Sequence, residues 1–158
     1  MRNWQQRTDE LLARFRLSDL DDRDGRLLSG GQMRRASLAI GIALNPGVLL
    51  LDEPTANLDI ATRREIIDVL QQMRDIINTA VIATHDMQLV CQWAQRIIVL
   101  CNGKVVADGS RDEIFSRQDI AGLVGIRPPE IFSMARALDN RALCYTIDEF
   151  TSSFQKGV

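Results

Sequence analysis

The sequence predicts an α/β protein built around short parallel strands. Two short runs, 48–51 and 79–84, are rich in apolar residues, and 48–51 is continuously apolar, as strands buried on both faces of a parallel sheet are. Helical patterns separate the runs, and the order strand, helix, strand, helix, strand is typical of parallel sheets with right-handed crossovers. The 158 residues are 46% apolar and 25% charged, which is the composition of about one globular domain.

Charge and cysteine usage exclude several classes of protein. Nineteen basic and 21 acidic side chains give a net charge of −2, so bulk charge indicates no surface for nucleic acid or anionic membranes. Cys91, Cys101 and Cys144 form no C-x-x-C pair, which argues against a disulfide framework or zinc site and favours a reducing, cytoplasmic setting. The longest apolar runs, 38–44 and 97–101, are far shorter than the roughly 18 residues of a membrane span, and the N-terminus does not resemble a secretory signal.

Helix signals frame the first part of the chain. Apolar residues at helical spacing predict a helix over 7–15 with Thr8 as its N-cap, and a polar loop follows over 18–26. A Ser-Gly-Gly turn then opens a helix over 33–44, which an Asn-Pro-Gly sequence ends. These segments, 1–46, are expected to form a helical region.

The centre of the chain, 47–117, carries the predicted α/β core. An amphipathic helix is expected over 60–77 with Asp59 as N-cap, and another over 86–94. A strand over 96–101 is followed by Asn-Gly, the signal of a type I′ hairpin, and by a returning strand. A short helix is expected near 111–117.

The C-terminal segment, 118–158, is expected to form a small appended element. It contains a Pro-Pro pair, a predicted helix over 130–138 and a Tyr-Thr-Ile segment at 145–147.

The Ser29-Gly30-Gly31 turn is a candidate anion site. Glycines let a backbone approach a ligand closely, and the N–H groups at a helix N-terminus attract phosphate, with a hydroxyl adding a further hydrogen bond. The alternative is an ordinary turn that opens a helix.

Asp52 and Glu53 end a predicted buried strand, where parallel sheets present their ligands. Aspartate there suits Mg²⁺, and the adjacent glutamate suits orientation and deprotonation of a water molecule. The alternative is a polar strand end before Pro54.

His85, the only histidine of the chain, directly follows another predicted strand. It is a candidate for contacting a terminal phosphate or the attacking water, and its alternative is a hydrogen-bonded structural role.

Four motifs in order resemble one family. Leu-Ser-Gly-Gly-Gln at 28–32, Val-Leu-Leu-Leu-Asp-Glu-Pro-Thr at 48–55, Ala-Asn-Leu-Asp at 56–59 and Val-Ile-Ala-Thr-His-Asp at 81–86 resemble the C-terminal half of an ATP-binding-cassette (ABC) ATPase. In this resemblance they are the signature motif, the Walker B strand, the D-loop and the switch-histidine segment. The likeness runs over about 8–115 and implies part of a P-loop NTPase core. It departs from the family at Ala56, where serine is frequent.

The resemblance implies roles for these residues and ATP with Mg²⁺ as cofactors. Asp52 would act on the metal, Glu53 would be the general base and His85 would sense the γ-phosphate. The residues implied in binding a nucleotide held by the opposite subunit are Ser29, Gly30, Gly31 and Gln32. Asp59 would cross the dimer interface, in addition to capping its helix.

The sequence contains no G-x-x-x-x-G-K-[ST] phosphate loop (Walker A). Its one Gly-Lys pair, Gly103-Lys104, falls in the predicted hairpin. The upstream strands and the family's glutamine loop are also not found, so the chain is expected to begin within the helical subdomain. By itself it is expected to bind ATP poorly and hydrolyse none.

The C-terminal segment refines the resemblance. Residues 122–130 and 143–150 look like the C-terminal extension of energy-coupling-factor importer ATPases, which take up vitamins and cobalt or nickel ions. The alternative is a generic cap of a helix and a strand.

These observations lead to one main hypothesis and two alternatives. The main one is an importer ATPase subunit, peripheral on the cytoplasmic face of the membrane, with a second cassette and a transmembrane subunit as partners and no nucleic acid. A non-catalytic truncated remnant is the second, and it predicts an unpaired sheet edge, an apolar gap and poor solubility. A DNA-maintenance ATPase is the third, disfavoured by Pro54-Thr55, by His85 and by the absence of coiled-coil heptads and a basic patch.

Overall fold

A computed structural model describes residues 4–117, 119, 120, 122, 125–139 and 141–154. The chain divides into two compact units, Met1–His85 and Asp86–Val158. In the first unit the elements are α1 Trp4–Arg14, α2 Gly30–Ala43, β1 Leu49–Asp52, α3 Ile60–Gln72 and β2 Ala80–Ala83. In the second they are α4 Met87–Trp93, β3 Ile97–Cys101, β4 Lys104–Gly109, α5 Arg111–Phe115, α6 Glu130–Leu138 and α7 Ile147–Phe154.

The first unit contains the parallel sheet that the sequence predicts. β1 and β2 pair in parallel, with Leu49 opposite Ala80 and Asp52 opposite Ala83. Burial on both faces was the wrong expectation, because alternate residues are exposed: Leu50 is 72% and Val81 55% accessible. Within the described residues, these two strands pair only with each other.

Helices α1, α2 and α3 supply most of the first unit's core. The buried apolar side chains of these helices and of the segments that follow them are Leu11, Phe15, Leu17, Leu20, Leu38, Ala39, Ile42, Ile66, Ile67, Val69, Leu70 and Met73. In α3 the buried apolar residues recur three and four positions apart, so they share one face of the helix, and that face packs into the core.

Several helix boundaries differ from the prediction. Thr8 is not an N-cap: it lies inside α1, and its hydroxyl donates to the Trp4 carbonyl at 3.1 Å. The helix therefore begins earlier, in a polar segment without a periodic apolar pattern. α2 begins at Gly30, so both glycines lie in its first turn, and α3 ends at Gln72 with Met73 as its C-cap. Asp59 caps α3 as predicted.

The second unit is built on an antiparallel hairpin. β3 pairs with β4, and the positive φ angles of Asn102 and Gly103, 49° and 72°, are those of the predicted type I′ turn. In the part of the chain that the structure describes, β3 pairs with β4 alone, so the expectation that it continues the parallel sheet is not met. One core cluster of this unit contains Val99, Ala107, Ile114 and Ile120.

The C-terminal segment adds two helices to the second unit. α6 forms over the predicted residues, and α7 lies where the sequence indicated only a short apolar segment. Phe132 of α6 stacks on Tyr145 at 5.0 Å between ring centroids, and both belong to a core cluster with buried Cys91. Leu123 and Val124 of the predicted extension motif lie outside the described residues. None of the described helices is long and apolar enough to cross a membrane.

Candidate functional site

The register of the parallel sheet brings together the residues that follow its two strands. Asp52 pairs with Ala83, and the Glu53 N–H donates to the Ala83 carbonyl at 2.9 Å. Glu53 therefore lies opposite the residues that follow β2, namely Thr84 and His85. Two segments about thirty positions apart in sequence meet here because the carboxyl ends of parallel strands share one edge.

Three hydrogen bonds hold the Glu53 carboxylate. The Thr84 hydroxyl donates to Oε2 at 2.9 Å. The His85 backbone N–H approaches Oε1 at 3.1 Å, and the His85 ring Nδ1 lies 2.6 Å from the same oxygen. An ionised carboxylate only accepts, so Nδ1 must carry the proton. The ring is 86% exposed, so Nε2 is accessible to an incoming group.

The environment lowers the pKa of Glu53. Partial burial raises this pKa, but the hydrogen bonds from the His85 ring and the Thr84 hydroxyl together outweigh it, helped by the charge and backbone N–H of His85. Glu53 is therefore ionised at neutral pH, in the state that accepts a proton. His85 and Thr84 also fix the direction in which its oxygens point.

The Glu53 backbone adopts an uncommon conformation, with φ at 43°. A left-handed conformation in a non-glycine residue costs about 1–2 kcal/mol, and neighbouring contacts have to maintain it. The Glu53 carbonyl accepts from the Ala56 N–H at 3.1 Å and from the Arg34 guanidinium at 3.2 Å. Asp52, the last residue of β1, is exposed at the same edge of the sheet.

The signature turn, residues 28–32, contains a capping box formed by Ser29 and Gln32. The Ser29 hydroxyl accepts from the Gln32 N–H at 3.2 Å, and the Gln32 side-chain oxygen accepts from the Ser29 N–H at 2.9 Å. Gln32 therefore stabilises the turn itself. The Ser29 hydroxyl proton is not used in this pair, so it can donate to an anion.

The two glycines of this turn meet different surroundings. A Cβ atom added at Gly30 would meet nothing within 4 Å, so a ligand can approach its backbone closely. A Cβ atom at Gly31 would lie 2.4 Å from Cγ2 of Thr62, so this glycine is required by packing against α3. Gly31 thus has a structural role that its prediction as a ligand-binding residue did not anticipate.

The Asp59 side chain caps the N-terminus of α3. Its carboxylate accepts from the Thr62 N–H at 3.0 Å and from the Thr62 hydroxyl at 2.7 Å. These hydrogen bonds lower the pKa of Asp59. Thr62 therefore touches the signature turn with its methyl group and the D-loop aspartate with its hydroxyl.

The acidic residues that end and follow β1 fit Mg²⁺ as one part of its ligand set. Among the described residues no group of three or more histidine, cysteine or acidic side chains is placed to hold a metal. Mg²⁺ is commonly held by one or two carboxylates together with substrate phosphates and water, which matches the acidic pair Asp52-Glu53. Gly103 and Lys104 form the β3–β4 turn and the start of β4, as predicted.

Three residues at this site escaped the sequence reasoning. Thr84 was hidden because its role depends on strand register, although its position directly after a strand was a usable signal. Arg34 and Thr62 lie in helices, and their contacts depend on how α2 and α3 pack, which periodicity does not specify.

Likeness to a solved structure identifies the class of protein: the chain has the fold of part of an ABC-type cassette, within the P-loop NTPase fold. The cbiO1 protein of Clostridium perfringens, described as part of the ABC transporter complex cbiONQ, matches with a TM-score of 0.65 and 34% identity over 80% of this chain and 51% of its own. The family described as ABC transporter matches residues 3–56.

Sequence relatives specify the family more closely. The cobalt import ATP-binding protein CbiO of Rhodobacter capsulatus is 40% identical over 82% of this chain. The energy-coupling factor transporter ATP-binding protein EcfA2 of Bacillus licheniformis is 38% identical over 85% of it. The chain spans about half the length of these relatives, 46% and 49%. Over most of its length the chain is therefore similar to ATP-binding proteins of ABC transporters in the energy-coupling-factor and cobalt-import group.

Proposed function

We propose that this chain contributes the signature, metal-binding and general-base residues of an ATP-hydrolysing subunit in an energy-coupling-factor or cobalt-type importer. The observation that carries the proposal is the Glu53 carboxylate, held between Thr84 and His85 at the carboxyl ends of two parallel strands. The likeness to importer ATPases supports it. Because the chain spans only about half of those relatives, activity, cargo and partners all belong to the proposal.

Each residue of this edge has a distinct task in the proposed reaction. Asp52 would hold Mg²⁺, which when bound neutralises charge on the phosphates. Glu53 would orient a water molecule and accept its proton. Its carboxylate has about four lone-pair sites, and the three hydrogen bonds leave one for that water. His85 would face the terminal phosphate with Nε2. Because Nδ1 already donates to Glu53, Nε2 can donate as well only when the ring is an imidazolium.

The signature turn would act on a nucleotide held by a second cassette. Ser29 would donate its hydroxyl proton, the amides near Gly30 would face phosphate oxygens, and Gln32 would keep the turn rigid. Asp59 would lie at the boundary with the second cassette. A transmembrane subunit would place the assembly on the cytoplasmic face of the membrane, and a vitamin or a metal ion such as cobalt would be its cargo.

Complementation tests the proposal. The chain is added to an intact cassette of the same family whose own signature has been inactivated, and ATP hydrolysis is measured. The wild-type chain is expected to restore activity. Gly30→Asp is expected not to, because its carboxylate would repel phosphate while its side chain meets open space in this fold.

Gly25→Asp is the matched control. Gly25 also has open space around it, and it lies outside the signature turn, so this variant is expected to restore activity as well as the wild type does. No gain with the wild-type chain would overturn the proposed action on a second cassette and favour a non-catalytic role. Equal gains with all three chains would show that the signature turn is not responsible.

A further inference from the structure

We propose that Arg34 is a positioning residue for Glu53, through which helix α2 joins the signature turn to the proposed general base. This inference rests on the proposed function for its meaning in catalysis. The contact itself lies within the first unit. Arg34 lies in the second turn of α2, whose first residues carry the signature, and its Nη2 donates to the Glu53 carbonyl at 3.2 Å.

The Glu53 carbonyl is a meeting point of three motifs. It belongs to the strand-end acidic pair, it accepts from the Ala56 N–H at the start of the D-loop, and it accepts from the signature helix through Arg34. The two donors together fix the orientation of this carbonyl. The fixed carbonyl holds the peptide plane that follows Glu53, and the Glu53 N–H, bonded to the Ala83 carbonyl at 2.9 Å, holds the plane that precedes it. With both planes held, the left-handed conformation at Glu53, with φ at 43°, is maintained.

The backbone conformation determines where the carboxylate lies. Rotation of Glu53 into an ordinary extended or helical conformation would swing its Cβ away from Thr84 and His85. Arg34 therefore acts on the carboxylate without touching it. A shift of α2 when the signature turn engages a nucleotide would be passed to Glu53 through the guanidinium.

Arginine suits this task because its donors are held in a rigid plane. Lysine at the same place would offer a flexible ammonium on a narrower stem, with no fixed direction for its hydrogen bond. Arg34→Met would retain much of the side-chain volume and remove the donor. Arg64, an exposed arginine of α3, offers a matched control in Arg64→Met.

The test uses His85 as a reporter, because it is the only histidine of the chain and its ring contacts Glu53. NMR signals of the His85 ring are recorded at one fixed pH, without nucleotide, for the full chain and its variants. Glu53→Gln provides the reference for a lost carboxylate contact. Arg34→Met is expected to move the His85 signals toward those of Glu53→Gln, Arg34→Lys to move them part of that way, and Arg64→Met to leave them unchanged.

A purely structural role for Arg34 would lower the melting temperature and leave the His85 signals in place, and that result would overturn the inference. If Arg34→Met fails to fold, Arg34→Lys provides the decision: unchanged His85 signals in that variant would also overturn it. The NMR result does not depend on the outcome of the complementation assay, because the NMR sample contains no ATP and no second cassette. Loss of complementation with a responsive His85 would refute the proposed function and leave the Arg34 contact standing.

Discussion

The three cysteines differ in reactivity because their surroundings differ. Cys91 is 2% exposed, and burial raises the pKa of its thiol to about 12, an effect that nearby Arg111 only partly offsets. Cys144 is also buried, whereas Cys101 in β3 is partly exposed. Alkylation of the native protein with iodoacetamide at pH 8 is expected to modify Cys101 first and Cys91 last. Peptide mass spectrometry over time would measure the order, and early modification of Cys91 would contradict the described packing.

The Cys91 thiol also makes the free energy of unfolding depend on pH in the alkaline range. A folded-state pKa raised to about 12 means that the neutral thiol is favoured by folding. This contribution is fully present below the unfolded thiol's ordinary pKa and is lost as pH rises toward 12. Tyr145, whose pKa is also raised, mainly by burial, acts in the same direction. We expect the melting temperature to fall above about pH 9, and to fall less steeply in Cys91→Ala.

The Thr84 hydroxyl is the second of the side-chain hydrogen bonds that lower the pKa of Glu53, after that of the His85 ring. Thr84→Val removes the 2.9 Å hydrogen bond to Oε2 at nearly constant volume, so the pKa of Glu53 is expected to rise toward its ordinary value. Carboxyl ¹³C NMR during a pH titration measures this pKa. Thr8→Val is the control, because its hydroxyl donates to a backbone carbonyl in α1 and its loss should leave the Glu53 pKa unchanged.

The sign of the acid effect follows from the lowered pKa. A carboxyl group whose pKa is depressed in the folded state stabilises the fold above its unfolded pKa and loses this effect as pH falls through the folded value. Thr84→Val should therefore flatten the loss of stability on acidification. A pKa of Glu53 that stays low in this variant would show that His85 alone maintains it.

At the scale of elements, α2 and α3 are held together by a contact that tolerates no extra methyl group. Gly31→Ala would place a Cβ atom 2.4 Å from Cγ2 of Thr62. Thr62 cannot rotate away freely, because its hydroxyl donates to Asp59 at 2.7 Å. Gly31→Ala is expected to lower the free energy of unfolding by about 1–3 kcal/mol, as overpacking does.

Thr62→Ser provides the rescue for that variant. Serine lacks Cγ2 and retains the hydroxyl, so Gly31→Ala combined with Thr62→Ser should recover most of the stability. Urea unfolding of the four proteins in this double-mutant cycle measures the coupling. Additive losses would mean that the two side chains do not meet.

Helix α7 depends on Glu149 in the same way that α2 depends on its capping box. The carboxylate accepts from the Tyr145 N–H at 2.7 Å and from Arg111 at 2.9 Å, and the Glu149 N–H donates to the Thr146 hydroxyl at 3.1 Å. Glu149→Ala is expected to lower the free energy of unfolding by about 1–2 kcal/mol. It should also speed amide exchange in α7. Asp148→Ala, an exposed acidic residue in the same turn, should change both measurements little.

The elements also show which structure the sequence alone can predict. Asp59 and the Asn102-Gly103 turn were predicted correctly because their signals lie within a few residues of what they determine. Thr8 was wrongly predicted as the N-cap of α1 and lies inside it, because α1 extends into a polar segment without a periodic pattern. Strand pairing and one-sided burial depend on distant segments, so local patterns could not determine them.

The residues of the candidate site also fall into two groups, those that local sequence predicts and those whose contacts depend on distant segments. Asp52, Glu53 and His85 are candidates because their residue types follow strands directly, and the parallel register places Glu53 and His85 in contact. Arg34 and Thr62 act through the packing of helices, for which the sequence offers no short-range signal. The motifs therefore predicted which residues to consider, whereas the helix packing around those residues could be described only from the structure.

At the scale of the whole molecule, the described sheet presents an apolar strip to solvent. Val48, Leu50 and Val81 are 54%, 72% and 55% exposed, and Leu50 lies opposite Val81 in the parallel register. In the described part of the chain, each strand of this sheet also has one edge without a partner strand. Contiguous apolar surface beside an unpaired strand edge favours association with another chain.

We therefore expect the purified chain to self-associate as its concentration rises, and Leu50→Lys to weaken this association. The lysine places a charge in the centre of the strip, at a position where the side chain already lies in water, so folding should be little affected. Leu27→Lys is the matched control, because Leu27 is 77% exposed but lies in a separate turn, where a single apolar side chain carries little driving force. Sedimentation velocity over a range of concentrations measures the effect. Equal association of both variants and the wild type would place the contact elsewhere, whereas a monomer at every concentration would show that the strip is too small to drive association.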